Sequence, residues 1–398
     1  MDKHTNRLPA ALWALTISAF GIGTTEFVIV GLLPTVANDL KITLPSAGLL
    51  VSLYAIGVAI GAPILTALTS GIPRKRLLIA LMVLFTVGNA LASIAPGFYT
   101  LVLARIVTGF AHGVFFAVGA TIAASLVPPE KRASAIAIMF SGLTIAIVTG
   151  VPFGTFIGQH FGWRATFIGV AILGIIGLIS SIILIPKNLK SEKAIPLNSL
   201  IKVISNKHLM LVYIMTILGY GGTFVAFTYL SPILQELTHL SESAVNVILL
   251  LYGIAIAFGN LIGGKVSNKH PHKALLWMFV LQTLILLLFA FTVHYTLVGI
   301  ITLFIMGALS FSNVPGLQLL VVQTAEKHVP GAEDIASAFN IAAFNIGIAI
   351  GAYVGGLIVA SPVGLGATPI VGALFVAMAI VITMVSKKST DKTPEKQV

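Results

Sequence analysis

The sequence lacks cysteine and contains few charged residues. Its 398 residues include no cysteine, which excludes disulfide bonds, thiolate metal sites and cysteine nucleophiles. Charged residues make up 9% of the chain, whereas about 25% is usual in soluble globular domains. With 57% hydrophobic residues and a mean hydropathy of +1.04, the composition indicates an integral membrane protein.

Motifs of several enzyme classes are also absent. The sequence contains no HExxH motif, no GxSxG nucleophile elbow and no GxxxxGK[ST] phosphate loop. We therefore expect no enzyme activity, no metal site and no cofactor. Because a nucleotide-binding loop is missing, active transport would draw its energy from an ion gradient.

Long apolar runs recur along nearly the whole chain, and each is long enough to cross a bilayer as a helix. Period-two alternation is absent, which excludes a membrane β-barrel. The pattern predicts an all-α membrane protein with twelve spans, at residues 9–36, 46–69, 77–95, 98–126, 134–158, 164–185, 209–235, 243–265, 274–293, 296–325, 335–360 and 366–386. The first run is too long for a signal-peptide core, so we expect it to stay in the mature protein.

The net charge of +11 comes from Lys and Arg residues whose distribution matches the predicted membrane topology and does not indicate a nucleic-acid-binding surface. With the N-terminus in the cytoplasm, 20 of the 23 Lys and Arg residues fall in cytoplasmic segments. Lys41 and Arg164 fall outside, and Arg105 lies within a span. This positive-inside bias predicts that both termini face the cytoplasm and that the bilayer, not nucleic acid, is the partner.

An internal repeat divides the chain into two halves. Shifted by 198 residues, the segment 49–78 aligns without a gap on 247–276, with matched Tyr54/Tyr252 and Gly61/Gly259. Similarity of composition alone is the alternative explanation. The repeat predicts two six-helix halves at 1–190 and 209–386, a cytoplasmic linker at 191–208 and a disordered tail at 387–398.

Away from the ends of the predicted spans, there is one acidic residue, Glu26, one arginine, Arg105, and one central histidine, His112. A charge at the bilayer centre costs at least about 2.5 kcal/mol on insertion scales, so such residues usually have a function. Counted from the outer ends of spans 1 and 4, Glu26 is about 15 Å deep and Arg105 about 12 Å at ~1.5 Å per residue. Burial favours the neutral form of a carboxyl and a nearby guanidinium favours the charged form, so the pair suggests a site that can exchange a proton.

Each of these residues also has a structural alternative. Arg105 as an ion-pair partner would simply hold two helices together. The carboxyl of Glu26 as a structural group would be held by Thr24, Thr25 or the backbone. His112 as a structural group would be a hydrogen-bonded residue that fills space.

Candidate substrate-binding residues lie near the same level. His112 is seven residues from Arg105, on one face of span 4, and Phe116 continues that stripe. Asn340 and Asn345 are five residues apart, about 140° around a helix, so they cannot both face one cavity. The predicted substrate-binding set is Thr25, Tyr54, Phe116, Asn313 and Asn345.

Glycine and proline mark positions of close packing or movement. Gly57 with Gly61 and Gly109 with Gly113 form GxxxG pairs that allow helices to approach closely. In "GVPFGTFIG" from Gly150, a proline removes one backbone hydrogen bond and the glycines weaken the helix. We therefore predict conformational roles for Gly150, Pro152 and Gly154.

Three motifs give the chain a resemblance to a known family. "TALTSGIPRKRLL" (66–78) resembles the loop G-x-L-A-D-R-x-G-R-K through Arg74 and Lys75, but Ser70 stands where the family has Asp. "RIVTGFAHG" (105–113) resembles R-x-x-x-G, and "GVPFG" (150–154) resembles G-P-x-x-G with one inserted residue. Over essentially its full length the chain resembles the major facilitator superfamily, specifically its twelve-span drug:proton antiporter branch.

The resemblance implies a function and roles for particular residues. "TTEFVIVGLLP" (24–34) is similar to the first span of bacterial sugar-efflux and multidrug-efflux transporters, where an acidic residue is implicated in proton coupling. Carried over, Glu26 binds the proton with help from Arg105 and His112, while Arg74 and Lys75 act in gating. Because Ser70 replaces the loop Asp, the resemblance leaves open whether the family's usual charge-based cytoplasmic contact is present here.

The function expected from the sequence is export of small organic molecules by exchange for protons. It would take place across the bacterial inner membrane, by alternating access in a functional monomer. Sugars, nucleosides, chloramphenicol-like drugs and lipophilic cations all remain open as substrates. The alternatives are a symporter or uniporter for uptake of a nucleoside or sugar, a non-transporting sensor, and a membrane enzyme.

Overall fold

The computed structural model describes residues 9–42, 44–187, 189 and 198–391. Twelve helices are long and apolar enough to span a membrane, which confirms the predicted fold class. The described helices, labelled α1 to α12, are Ala10–Leu40, Leu44–Thr69, Arg74–Ser93, Phe98–Ser125, Pro129–Phe161, Trp163–Leu184, Lys207–Phe227, Glu242–Ser267, Pro271–Thr292, Thr296–His328, Glu333–Val359 and Thr368–Asp391.

Several helices extend beyond the predicted spans because hydropathy detects only the apolar part of a helix. Helix α12 runs to Asp391, so the first five residues of the predicted disordered tail are helical, while 392–398 lie outside the described residues. In the predicted linker, Asn198–Ile204 forms a short helix, and residues 191–197 lie outside the described residues.

Two of the spanning helices contain a local irregularity. In α5, Ala146–Gly150 forms a π-helical turn immediately before Pro152, whose missing amide hydrogen leaves a carbonyl without its helical partner. In α10, the regular helix is interrupted between Ser310 and Val314. The predicted weakness of span 5 therefore coincides with a real departure from α-helical geometry.

Glycine allows the close contact of α2 with α4, and the same contact recurs in the second half. A methyl group built at Gly109 would lie 3.0 Å from the backbone oxygen of Tyr54. At the equivalent place 198 residues later, a methyl group at Gly307 would lie 3.0 Å from the backbone oxygen of Tyr252. The repeat seen in the sequence is thus also a repeat of packing.

Helices α1–α6 and α7–α12 form the two halves, which meet along α2 with α11 and along α5 with α8. Because the number of described spans is even, the start of α1 at Ala10 and the end of α12 at Asp391 lie on one face of the bundle, which we call the terminal face. Large apolar side chains such as Ile60, Ile183 and Phe291 are exposed on the outer surface, at 59%, 71% and 70%. Such exposure suits contact with lipid rather than water.

Candidate functional site

A cavity lies between the two halves at the level of Glu26. Helices α1, α4 and α5 line it from the first half, and α7, α8, α10 and α11 line it from the second. The lining residues are Glu26, Phe27, His112, Phe116, Phe140, Leu143, Thr144, Tyr220, Asn260, Phe311, Val314, Ile341, Phe344, Asn345 and Ile348. This set contains one acidic side chain and neither lysine nor arginine.

Glu26 and His112 face each other at the cavity wall. The carboxylate Oε2 lies 3.9 Å from the Nδ1 atom of His112, close enough for electrostatic interaction but too far for a hydrogen bond. The same Nδ1 atom hydrogen-bonds the hydroxyl of Tyr54 at 2.9 Å. The carboxylate of Glu26, with 11% of the side chain exposed, is therefore available to a ligand in the cavity.

Arg105 lies behind this pair and does not line the cavity. Its Nη1 donates to the backbone oxygen of Thr25 at 2.5 Å, and its Nε donates to that of Leu50 at 3.4 Å. The guanidinium also sits 4.2 Å from the centre of the Tyr54 ring. Arg105 thus connects α4 to α1 and α2. Its positive charge lies at the backbone oxygen of Thr25, the residue that precedes Glu26 in the chain.

Three residues of the predicted substrate-binding set do not line the cavity. Thr25 is buried and its hydroxyl donates to Asn89 in α3 at 2.6 Å. Tyr54 is 2% exposed and positions His112 from behind. Asn313 is buried at the interruption of α10, where its Nδ2 donates to Gln282 at 2.9 Å. The hydroxyls of Thr25 and Tyr54 and the Nδ2 atom of Asn313 bind residues of neighbouring helices, which the sequence of a single span does not reveal. The buried Oδ1 atom of Asn313 has no hydrogen-bond partner among the described residues.

Phe116 and Asn345, the other two residues of the predicted substrate-binding set, lie on the cavity wall. The Nδ2 atom of Asn345 donates to the backbone oxygen of Ile341 at 3.0 Å. Its buried Oδ1 atom has no hydrogen-bond partner in the described part of the chain. Asn340 instead binds Thr216 and Gln318, consistent with the angle between positions 340 and 345.

Aromatic residues form a part of the wall that the sequence motifs do not identify. Tyr220, Phe311 and Phe344 contribute from the second half, and Phe140 from the first. The centre of the Tyr220 ring lies 4.9 Å from that of Phe344 and 5.3 Å from that of Phe311. A search for charged and polar residues does not find them, because phenylalanine is common on every face of these helices.

A charged contact joins the halves near the terminal face. Arg74 at the start of α3 places Nη1 3.2 Å from Oδ1 of Asp334 in the first turn of α11. Thr121 of α4 hydrogen-bonds the same carboxylate and accepts from Arg74 at 2.5 Å. We call Arg74, Thr121 and Asp334 the terminal gate.

The terminal gate adds two features that the sequence analysis did not identify. Asp334 is a second buried acid at the edge of a spanning helix, one residue before the predicted start of that span. A helix N-terminus favours such a negative charge. Although Ser70 replaces the family's loop aspartate, a charge-based contact between the halves is present, with its acid supplied by the opposite half.

Other polar contacts between the halves lie on the same side of the cavity. Arg132 forms a two-pronged ion pair with Glu326, at 3.0 and 3.1 Å. The hydroxyl of Ser134 accepts from Asn268 at 2.8 Å. Together with the terminal gate, these contacts close the cavity toward the terminal face.

Lys75, Gly150 and Gly154, which are also predicted to act in gating, contact residues of the first half. The ammonium group of Lys75 donates to the backbone oxygens of Ile182 and Ile185, both at 2.6 Å, at the end of α6. Lys75 is thus not part of the contact between halves. Gly150 and Gly154 pack against side chains of α1, so the irregular segment of α5 lies directly behind the helix that carries Glu26.

Within the described residues, no group of three His, Asp or Glu side chains could hold a metal ion.

Two six-helix halves around a central cavity are the architecture of an alternating-access membrane transporter. The sequence profile of the Major Facilitator Superfamily matches residues 15–332, and the chain belongs to this family. It is 54% identical to the uncharacterized MFS-type transporter YtbD of Bacillus subtilis, over 96% of each chain. It is also 39% identical to the inner membrane transport protein YdhP of Escherichia coli, over 96% of this chain and 97% of YdhP.

A solved structure shares the same fold. The E. coli fucose:proton symporter FucP superposes with a TM-score of 0.74 over 94% of this chain and 98% of FucP, at 15% identity. At that identity the likeness concerns the fold alone. The chain is thus a multi-pass membrane transporter of the Major Facilitator Superfamily.

Proposed function

We propose that the protein exports small organic molecules from the bacterial cytoplasm in exchange for protons, by alternating access and as a functional monomer. The observation that carries this proposal is the position of Glu26, the one acidic residue in the lining of the cavity between the halves. The terminal face would be cytoplasmic, as the distribution of Lys and Arg predicts.

Coupling would arise because proton and substrate compete for the same carboxylate. Burial favours the neutral acid and the positive charge of Arg105 favours the carboxylate, so a ligand in the cavity can shift the balance. By linkage, the proton then changes the affinity for the substrate by the same factor. An inward proton gains about 2.3 kcal/mol per 100 mV, in addition to the pH difference.

Alternating access requires the contacts near the terminal face to form and break in each cycle. The terminal gate and the Arg132–Glu326 pair hold the cavity closed toward the terminal face in this structure. In the inward-facing state these contacts would separate as the two halves rotate about the cavity.

The experiment uses inside-out vesicles from a strain that lacks its own exporters. With the vesicle interior acidified, a transported compound added outside should release protons, seen as recovery of acridine-dye fluorescence. Ethidium, chloramphenicol, arabinose and uridine form the panel. We expect at least one of them to release protons in the wild type.

Glu26→Gln keeps the size of the side chain but cannot release a proton, so it should abolish substrate-driven proton release. Glu26→Asp should retain part of it, because the acid is still present. Glu236→Gln, which changes an exposed acid remote from the cavity, is the matched control and should behave as the wild type. Uphill export by the Glu26→Gln variant at the wild-type rate would contradict the proposal.

A further inference from the structure

Two histidines far from the lining of the cavity are stacked on each other at the terminal face of the second half. His208 lies in the first turn of α7, and His328 is the last residue of α10. Their ring centres are 4.0 Å apart and the ring planes differ by 6°. Neither residue belongs to the site described above, so the cavity does not account for the pair.

The stack joins the ends of three helices. Asn206 caps α7 by accepting from the backbone amides of His208 and Leu209, which fixes the position of the His208 backbone. The hydroxyl of Ser389, near the end of α12, lies 3.3 Å from Nδ1 of His208. His208 is buried and His328 is half-buried. Water at the terminal face can therefore reach the pair along His328.

The charged groups that act on the two rings are positive. Lys207 and Lys327, each next to one of the histidines in the chain, both act electrostatically on both rings. Helix α12 carries Lys387 and Lys388 just before Ser389. A proton added to the pair therefore enters a positive environment.

Acidic groups on the neighbouring elements are bound elsewhere. Glu326 is the only acidic residue of α10, and its carboxylate accepts from Arg132 at 3.0 and 3.1 Å. At the start of α11, Glu333 accepts from the backbone amide of Gly331, and Asp334 belongs to the terminal gate. These carboxylates thus do not neutralise a charge on the stack.

Two imidazolium rings cannot remain face to face at this distance in such surroundings, because like charges repel and the lysines add to the repulsion. A free histidine titrates at about pH 6.5, so its charge changes in the physiological range. The stack is therefore stable while at least one ring is neutral, and it separates when acid charges both.

Separation of the rings would reach the contact between the halves through the last turn of α10. His328 lies two residues after Glu326, which forms the ion pair with Arg132 of the first half. A two-pronged pair depends on the orientation of both partners. Movement of His328 away from α7 would shift the carboxylate of Glu326 and weaken the pair.

We propose that the stacked pair His208–His328 is a proton-sensitive contact that loosens the closed terminal face when that side of the membrane becomes acidic. The pair holds no substrate, and it changes only how readily the terminal face opens. With the terminal face in the cytoplasm, acid there would favour the open state. This inference depends neither on the substrate nor on proton exchange at Glu26.

The test measures closure of the terminal face in the detergent-purified full chain. Ser134 and Asn268 are hydrogen-bonded across the halves, so Ser134→Cys with Asn268→Cys reports closure as the rate of disulfide formation. Every variant carries this cysteine pair. The rate in the chain with both histidines is divided by the rate in His328→Phe at the same pH. This ratio cancels the effect of pH on thiol chemistry and on groups outside the stack.

His328→Phe keeps a flat ring that can stack and carries no charge. From about pH 7.5 to about pH 5.5, on either side of the usual histidine pKa, the ratio should fall by up to roughly fivefold, the most that an exposed ion pair contributes. His328→Gln, also uncharged, replaces the phenylalanine variant if that variant does not fold. If the stack only packs the helix ends, the ratio will not change with pH, and this result would overturn the proposal.

Two further variants test the route. His272→Gln is the matched control, because His272 lies in α9 and, like His208, contacts a hydroxyl of α12, that of Ser386. This variant should respond to pH as the chain with both histidines does. Arg132→Gln should crosslink slowly at both pH values, since it lacks the ion pair on which the stack acts. Loss of the response in His272→Gln, or a full response in Arg132→Gln, would refute the proposed route.

Discussion

Replacing Asp334 by asparagine tests whether the terminal gate holds the cavity closed. Both charged side chains of the gate are largely buried, with 12% of Arg74 and 7% of Asp334 exposed. Removing one partner of a buried ion pair costs about 3–5 kcal/mol. Asparagine retains an oxygen that can accept from Thr121, and Arg74 lies near the aqueous edge, so we expect a smaller cost of about 2 kcal/mol.

This cost applies to the closed state, because in the proposed cycle the gate separates when the cavity opens toward the terminal face. A loss of about 2 kcal/mol lowers the ratio of closed to open molecules by roughly thirtyfold. The Asp334→Asn variant should therefore populate the state open at the terminal face far more than the wild type does, while the protein still folds.

The absence of cysteine provides the assay. Ser134 and Asn268 are hydrogen-bonded across the halves, so Ser134→Cys with Asn268→Cys should form a disulfide when the terminal face is closed. Oxidation should crosslink this pair quickly, and the crosslinked protein should not transport. Adding Asp334→Asn should slow the crosslinking by about the same factor as the closed population falls.

Arg132→Gln is the matched control for the charged contacts. Arg132 and Glu326 are 25% and 41% exposed, so their ion pair contributes at most about 1 kcal/mol, or roughly fivefold. Crosslinking at the wild-type rate in Asp334→Asn, or an equally large effect of Arg132→Gln, would refute the reasoning that the buried pair dominates.

Three further predictions concern the site, the packing and the topology. His112→Gln should slow transport without uncoupling it from protons, since Glu26 keeps its carboxyl; loss of proton release at an unchanged substrate flux would contradict this. Gly109→Ala should destabilise the purified protein by about 1–3 kcal/mol in thermal unfolding, because the added methyl meets the backbone of α2, whereas Gly97→Ala, with open space around it, should change stability little. Alkaline phosphatase fused at Lys387 should be inactive and fused near His239 active, and the reverse pattern would overturn the predicted orientation.

Features that depend on one segment alone are predicted well from the sequence. The twelve spans follow from hydropathy, and the spacings of Gly57 with Gly61 and of Gly109 with Gly113 predict close helix contacts without naming the partner helices. Depth predicts that Glu26 and Arg105 share a level, and the stripe on α4 places His112 on the same face as Arg105. In the structure it is His112 that faces Glu26, while Arg105 binds backbone oxygens behind the pair. Each of these inferences needs only helical geometry and the cost of burying a charge.

Features that depend on which neighbour a side chain meets are not predicted in the same way. These helices are apolar around most of their circumference, so periodicity does not show which face of α1 carries Thr25 toward α3 rather than toward the cavity. Lys75 illustrates the same point, since its partner is the end of α6 and not the other half. The gate acid Asp334 is missed because hydropathy places the start of the span after it.

The internal repeat has a consequence for how such a transporter can change during evolution. At the positions 198 residues after Arg105 and His112, the second half has Leu303 and Ser310, although the packing of Gly307 against Tyr252 is retained. The side chains that would handle protons thus all belong to the first half, whereas much of the aromatic wall and the unpaired amide oxygen of Asn345 belong to the second. Selection for a new substrate can then change residues of the second half, while the residues of the first half that would handle protons stay unchanged.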